Sequence, residues 1–239
     1  MRRRTQRVAK FKVPTERKIV PTGPIKKNYI TPLCKIMEQH GSDKGYGGHT
    51  YTSFYHKLFH GMRNKALNLF ELGIWHGNSL RGWADYFPQA NVYGADIMDK
   101  LLFTAPRIKT FLCDQNNPAS IKALFNQPEL QNKTFDIIID DGCHEYSSYL
   151  TFLKHSLHKL KPFGTYIIED VHINHFPRWQ QDKELLSKEL AAKIEILDLR
   201  HLMAPKEVMA NSNINELAGF LANYQLIHQT TNLVVIRKI

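Results

Sequence analysis

The residues with the most chemistry to offer stand together in Phe135-Asp136-Ile137-Ile138-Ile139-Asp140-Asp141-Gly142-Cys143-His144. The short apolar, β-branched run reads as a buried strand. It ends in two carboxylates, a glycine, a thiol and an imidazole. Ligands of open α/β sheets gather outside the carboxyl ends of the strands, where this cluster would lie. A second strand-like run, Thr165–Ile168, ends the same way in Glu169-Asp170. Two parallel strands ending in acids bring several oxygens to one hard cation, with His144 beside them. Metal-assisted group transfer is the chemistry such a set can perform. Each residue also has a plainer reading: Asp140 and Asp141 as helix caps, His144 as a first-turn surface histidine, Glu169-Asp170 as an ordinary loop start. Cys143 has no base pattern beside it and reads as a small packing residue.

The elements that must position these groups alternate from Ala66 onward. Strands are expected at Ala66–Leu72, Asn91–Ala95, Thr110–Cys113, Phe135–Ile139, Thr165–Ile168 and Lys193–Leu197. A terminal hairpin of Leu226–His228 and Leu233–Arg237 follows. Helices are expected from Leu80 (capped by Asn78 or Ser79), at Pro118–Asn126, over Glu145–Leu160 and at Lys183–Ala192, with Pro162-Phe163-Gly164 turning the chain into the strand at Thr165. The fold class is therefore α/β: a Rossmann-like, doubly wound, mostly parallel seven-stranded sheet with an antiparallel last strand.

Acids also end the first three strands. Glu71 precedes the turn Gly73-Ile74-Trp75-His76-Gly77-Asn78-Ser79, Asp96 follows strand two, and Asp114-Gln115 follows strand three. A strand, a glycine-bearing turn and a helix N-terminus together form a nucleotide-type cradle. An acid at Asp96 can accept both hydroxyls of a ribose, and Asp114 or Gln115 can bond an adenine amino group. No Gly-rich loop followed by Lys-Ser/Thr is present, so an adenosine cofactor without phosphates is expected, S-adenosylmethionine rather than NAD. The loop 41–51 packs four glycines among Asp43, Lys44, His49 and Tyr51 and precedes a helix at Thr52–Leu58. Its composition suits a ligand cover or a bare surface turn equally.

Charge separates the chain into two parts. The ten Lys/Arg of residues 1–28 face one acid, Glu16, which leaves 22 of the 32 basic residues against 21 of the 22 acids. The body, 29–239, is nearly neutral, which argues against a nucleic-acid groove in the fold. The basic stretch reads as a flexible arm: a solvated tail, a contact for an anionic surface, or an organelle presequence. No apolar run is long enough to span a membrane. Three widely spaced cysteines point to a soluble, reducing, cytoplasmic setting.

Glu71-Leu72-Gly73, Asp96, Asp114-Gln115, Asp140-Asp141-Gly142-Cys143-His144 and Ile168-Glu169-Asp170, in this order, resemble the metal-dependent class I methyltransferases that act on sugars of macrolide antibiotics. These are the macrocin and mycinamicin O-methyltransferases, whose metal-site pattern cephalosporin hydroxylase-like proteins share. Ser42-Asp43-Lys44 with His49, Tyr51 and Tyr55 resembles an upstream motif of the same enzymes. The similarity covers roughly residues 38–239.

The resemblance implies a Mg²⁺ (or Mn²⁺) held by Asp141, Glu169 and Asp170, with His144 as general base. It implies S-adenosylmethionine contacts from Gly73, Gly77, Asn78, Ser79, Asp96, Asp114 and Gln115. Glu71, Asp140, Lys44 and Tyr51 are further cofactor candidates. His49, Tyr55, His172, His175 and Trp179 are candidates for the sugar or glycan acceptor. Two departures stand out: Cys143 replaces the usual serine, and the large N-terminal domain of the mycinamicin enzyme is missing. Quaternary structure, a homo-oligomer included, therefore does not carry over. The expected reaction is methylation of a sugar hydroxyl. A nucleic-acid or other non-sugar hydroxyl, a cephalosporin hydroxylase-like reaction, and binding without turnover are the rivals.

Overall fold

The computed structural model describes residues 30–45, 47–49, 51–171, 194–198 and 233–238. Two helices, α1 (Pro32–Gln39) and α2 (Tyr51–Phe59), precede the sheet. Thr31 caps α1 by accepting the Cys34 N–H at 3.2 Å, with Pro32 in the first turn, where its missing N–H costs nothing. The alternation then runs β1 (Asn68–Leu72), α3 (Asn78–Tyr86), β2 (Asn91–Asp96), β3 (Thr104–Ala105), β4 (Ile108–Leu112), α4 (Pro118–Phe125), β5 (Phe135–Asp140), α5 (Tyr146–Ser156), β6 (Leu160–Ile168), β7 (Ile194–Asp198) and β8 (Val234–Lys238).

The strand order is β3-β4-β2-β1-β5-β6-β8-β7. β4, β2, β1, β5 and β6 are mutually parallel, and β8 is antiparallel to both β6 and β7. The doubly wound sheet with an antiparallel last strand is therefore present. A two-residue antiparallel strand, β3, is added at one edge.

Strict alternation along each strand makes two cores. Phe70, Leu72, Ile138, Tyr166, Ile168, Val234 and Ile236 face one side, against Phe125 of α4 and Tyr149, Phe152 and Leu153 of α5. Leu69, Ile137, Ile139, Ile167 and Val235 face the other, against Met37 of α1, Phe54 and Tyr55 of α2, and Leu80 and Trp83 of α3. Both faces are covered, which is why these strands read as continuous apolar runs. Burying each large side chain contributes roughly 1.5–3 kcal/mol.

Three expectations change. α3 begins at Asn78 with Gly77 as its N-cap, in a left-handed conformation (φ +73°) and without a side-chain cap bond. The hydroxyl and amide expected to cap it bond elsewhere: Ser79 to Glu71, and Asn78 to Gly41. β6 starts at Leu160, so Pro162-Phe163-Gly164 lies inside a strand at a register shift, with Phe163 left-handed and exposed. The terminal hairpin gives way to pairing across the sheet, because β6 and β7 occupy both edges of β8. The basic stretch 1–28, the helix at Lys183–Ala192, the strand at Leu226–His228 and the candidates His172, His175 and Trp179 lie outside the described residues.

The site is positioned by the order reversal at β1, whose neighbours are β2 on one side and β5 on the other. Main-chain bonds carry the ladder one residue beyond the strand ends. Gly73 N–H donates to Ala95, Cys113 to Asp96, Asp141 to Leu72 and Glu169 to Asp140, each at 2.8–2.9 Å. Gly73, Cys113, Asp141 and Glu169 thus form one row along the carboxyl edge of the sheet.

Candidate functional site

Above that row lies a cavity of about 640 Å³. Its walls include the predicted Lys44, Gly73, Asn78, Ser79, Asp96, Asp114, Gln115, Asp141, His144 and Asp170. Residues that the sequence did not assign to the site join them: Trp75, Ile97 and Met98 at the rim, the buried Cys113 in the row, and the exposed Cys143 beyond it. The missed signal is an apolar side chain beside a strand-end turn. Trp75 is 67% exposed and holds a left-handed φ of +45°, unusual for a bulky residue.

The turn after β1 is shaped by what cannot fit. A Cβ on Gly73 (φ +82°) would come within 1.9 Å of the Asp141 carbonyl oxygen, so the β1 and β5 ends touch main chain to main chain. Gly77 is packed against the Phe103 ring and stays off the cavity wall. Asp96 is held by three main-chain N–H groups: Ile74 (3.1 Å) and Trp75 (3.2 Å) donate to Oδ2, and Met98 (2.9 Å) to Oδ1. Asp114 Oδ1 accepts the Asn116 N–H at 2.9 Å. Gln115 is fully engaged. Its amide donates to both oxygens of Asp140 (2.8 and 2.9 Å), and its carbonyl accepts the Cys143 N–H at 2.6 Å.

The two adjacent acids of β5 separate. Asp140 is completely buried beneath Gln115, and burial pushes its carboxyl well above the usual range. Asp141 turns to the cavity. Asp141, His144 and Asp170 each present a ligand atom, all within 4.8 Å of one another. Asp170 adopts φ +52°, a left-handed conformation that aspartate tolerates better than most residues.

The rest of the acidic centre is tied down by side chains from the N-terminal segment. Lys44, 2% exposed, donates to Asp141 and, at 2.7 Å, to Glu169 Oε2, and lies 3.5 Å from Glu71 Oε1. Tyr55 OH donates to Glu169 Oε1 at 2.6 Å. Tyr51 OH donates to Asp170 Oδ1, with His49 Nδ1 3.1 Å from the same oxygen. Glu71 accepts from Ser79 Oγ and from the Trp83 indole N–H, both at 2.7 Å. Glu71, Tyr51, Tyr55, His49, Asp140 and Glu169 therefore stand behind the cavity wall, not on it.

Burial pushes Glu169 well above the ordinary carboxylate range, and the Lys44 ammonium opposes that shift. Burial also raises Glu71, again against Lys44. For Lys44 burial pulls downward, but Asp141, Glu169 and Glu71 outweigh it and hold the ammonium well above its usual value. Burial works against ionised Asp170, yet the bonds from His49 and Tyr51 prevail and hold it at about 2. Burial lifts the Cys113 thiol to about 11, which leaves it a protonated wall residue. None of the three cysteines is in a disulfide. Among the described residues no helix is long and apolar enough to cross a membrane.

Residues 70–171 match the family model described as a methyltransferase domain. Two curated relatives are O-methyltransferases by name. The 8-demethyl-8-alpha-L-rhamnosyl tetracenomycin-C 2'-O-methyltransferase of Streptomyces olivaceus is 37% identical over 158 residues, covering 63% of this chain and 40% of that protein. Mycinamicin VI 2''-O-methyltransferase of Micromonospora griseorubida is 33% identical over 136 residues, 54% of this chain and 33% of its own length. The chain thus spans well under half the length of these relatives. A solved structure of the MycE methyltransferase with Mg, SAH and mycinamycin VI superposes with a TM-score of 0.57 at 23% identity, over 87% of this chain and 54% of that one. That likeness establishes the fold.

Proposed function

From the match of residues 70–171 to a methyltransferase-domain family model, we propose that this protein transfers a methyl group from S-adenosylmethionine to a sugar hydroxyl, with a Mg²⁺ or Mn²⁺ ion at the acidic centre. The observation that carries the proposal is one cavity joining two acidic walls. Asp96 and Asp114 lie on one, and Asp141, His144 and Asp170 on the other.

The residues fit both groups. The cavity volume lies within the range of small-molecule sites. Asp96 offers carboxylate oxygens for ribose hydroxyls, Ile97 and Met98 offer apolar surface, and the α3 N-terminus presents Asn78 and Ser79. Gly73 lets the main chain come close because no Cβ stands in the way. For the ion, the donor set is hard oxygen, and Asp141, Glu169, Asp170 and Glu71 outnumber the single ammonium of Lys44. Asp141 and Asp170 would hold the ion from the cavity side, with Glu169 directly behind them.

When bound, the cofactor supplies an electrophilic methyl group and the ion polarises an acceptor hydroxyl. His144 is exposed and within reach of Asp141 and Asp170, so its imidazole can take the hydroxyl proton at the place where the acceptor oxygen would be held. Trp75 at the rim offers an aromatic face to a sugar ring or its aglycone. Sugar methylation is the activity that the relatives' names carry. The basic residues of 1–28 are proposed to contact an anionic surface. The test is calorimetry of S-adenosylhomocysteine and Mn²⁺ on wild type and on Asp96→Ala and Asp141→Asn. Asp96→Ala is expected to weaken binding of the nucleoside by roughly 1–3 kcal/mol and Asp141→Asn to lose the ion. Unchanged binding of both ligands by both variants would remove the site.

A further inference from the structure

Lys44 places a buried ammonium, the same sign of charge as the proposed ion, among the carboxylates of the centre. We propose that Lys44 is a built-in counter-ion of the metal centre, a positioning residue that shares Asp141 with the divalent cation and thereby sets how tightly the ion is held. The inference rests on the metal reading given above.

Its geometry is specific. The segment is anchored at both ends: Ser42 N–H donates to Met37 O at 2.9 Å, and Lys44 O accepts Thr52 N–H at 3.2 Å. Asn78 Nδ2 donates to Gly41 O at 3.1 Å and fixes the segment to α3. From there the ammonium reaches Asp141, Glu169 and Glu71, carboxylates from three different strand ends. An ammonium has three donor hydrogens, and three carboxylates surround it. Asp141 is the shared member, since it also offers an oxygen within 4.8 Å of ligand atoms on His144 and Asp170.

Two consequences follow from charge. Buried acids that would repel one another have a permanent cationic partner, so part of their charge is offset without the ion. A fixed positive charge beside a shared ligand also opposes the ion, so the ion is held less tightly than the same carboxylates alone would hold it. A purely structural salt bridge would produce the first effect and not the second.

The experiment is Mn²⁺ titration of the full chain, read by the electron paramagnetic resonance signal of free Mn²⁺, together with melting curves with and without Mn²⁺. Lys44→Met is expected to melt lower without the ion and to bind Mn²⁺ at least about tenfold more tightly than wild type. Lys44→Arg, which keeps the charge, should stay within about threefold of wild type. Should Lys44→Met fail to fold, Glu71→Gln decides. It removes a negative charge 3.5 Å from the ammonium and should weaken Mn²⁺ binding by about threefold or more. Unchanged or weaker binding by folded Lys44→Met, or unchanged binding by Glu71→Gln, overturns the counter-ion role while leaving the metal reading intact. Absence of Mn²⁺ binding by wild type overturns both.

Discussion

On the β2 side of the cavity, Asp96 receives its three hydrogen bonds from the main chain of Ile74, Trp75 and Met98. On the β5–β6 side, Asp141, Glu169 and Asp170 are held by the side chains of Lys44, Tyr55, Tyr51 and His49, all from the segment before the sheet. The first wall follows from the paths of the turns after β1 and β2 and survives most side-chain changes. The second is assembled from parts far apart in the chain, and each part can be removed singly. A site built this way fixes the Asp96 carboxylate through the backbone and concentrates its electrostatic tuning in replaceable groups.

The largest break should come at the side-chain wall. Asp141→Asn removes a ligand atom facing the proposed ion, and loss of metal assistance is worth several kcal/mol, about a thousandfold in rate. Transfer of labelled methyl to a sugar acceptor should fall to background in this variant, and in wild type treated with EDTA. The backbone wall breaks through shape. Gly73→Ala places a Cβ 1.9 Å from Asp141 O at a left-handed φ, so thermal melting should show a loss above about 2 kcal/mol. Asp96→Ala leaves the Ile74, Trp75 and Met98 N–H groups without their acceptor and should weaken S-adenosylhomocysteine by roughly 1–3 kcal/mol in calorimetry. Tyr55→Phe removes one donor from Glu169 Oε1 and should cost about 1–2 kcal/mol of stability, read from denaturant midpoints. Cys143→Ser should do least: its main-chain N–H, not its thiol, bonds Gln115, so turnover should stay within about twofold.

Much of the first wall was legible in the sequence. Strand-end acids follow from period and turn chemistry, and Asp96 and Asp114 line the cavity on that side, as Asp141 and Asp170 do on the other. The second wall was only half legible. The motif around Lys44 stood out through its resemblance, yet nothing local says that its ammonium meets carboxylates 97 and 125 residues away. Glu71 lies at a strand end, a position that suits a cofactor contact. Its side chain instead points into the core facing α3, where Trp83 and Ser79 bond it. Gln115 looked free to meet a base, but Asp140 and the Cys143 N–H engage its amide from beneath. β3 escaped notice because two residues carry no period. The cap of α3 was misassigned because Asn78 and Ser79 have good capping chemistry and better tertiary partners.

The most direct test is mass spectrometry of sugar glycosides and oligonucleotides incubated with labelled S-adenosylmethionine, with Mg²⁺ or with EDTA. The account predicts one labelled methyl on a sugar hydroxyl of a glycoside, present with Mg²⁺ and lost both in EDTA and in Asp141→Asn. Methyl transfer undiminished by EDTA, or transfer to the oligonucleotides alone, would contradict it.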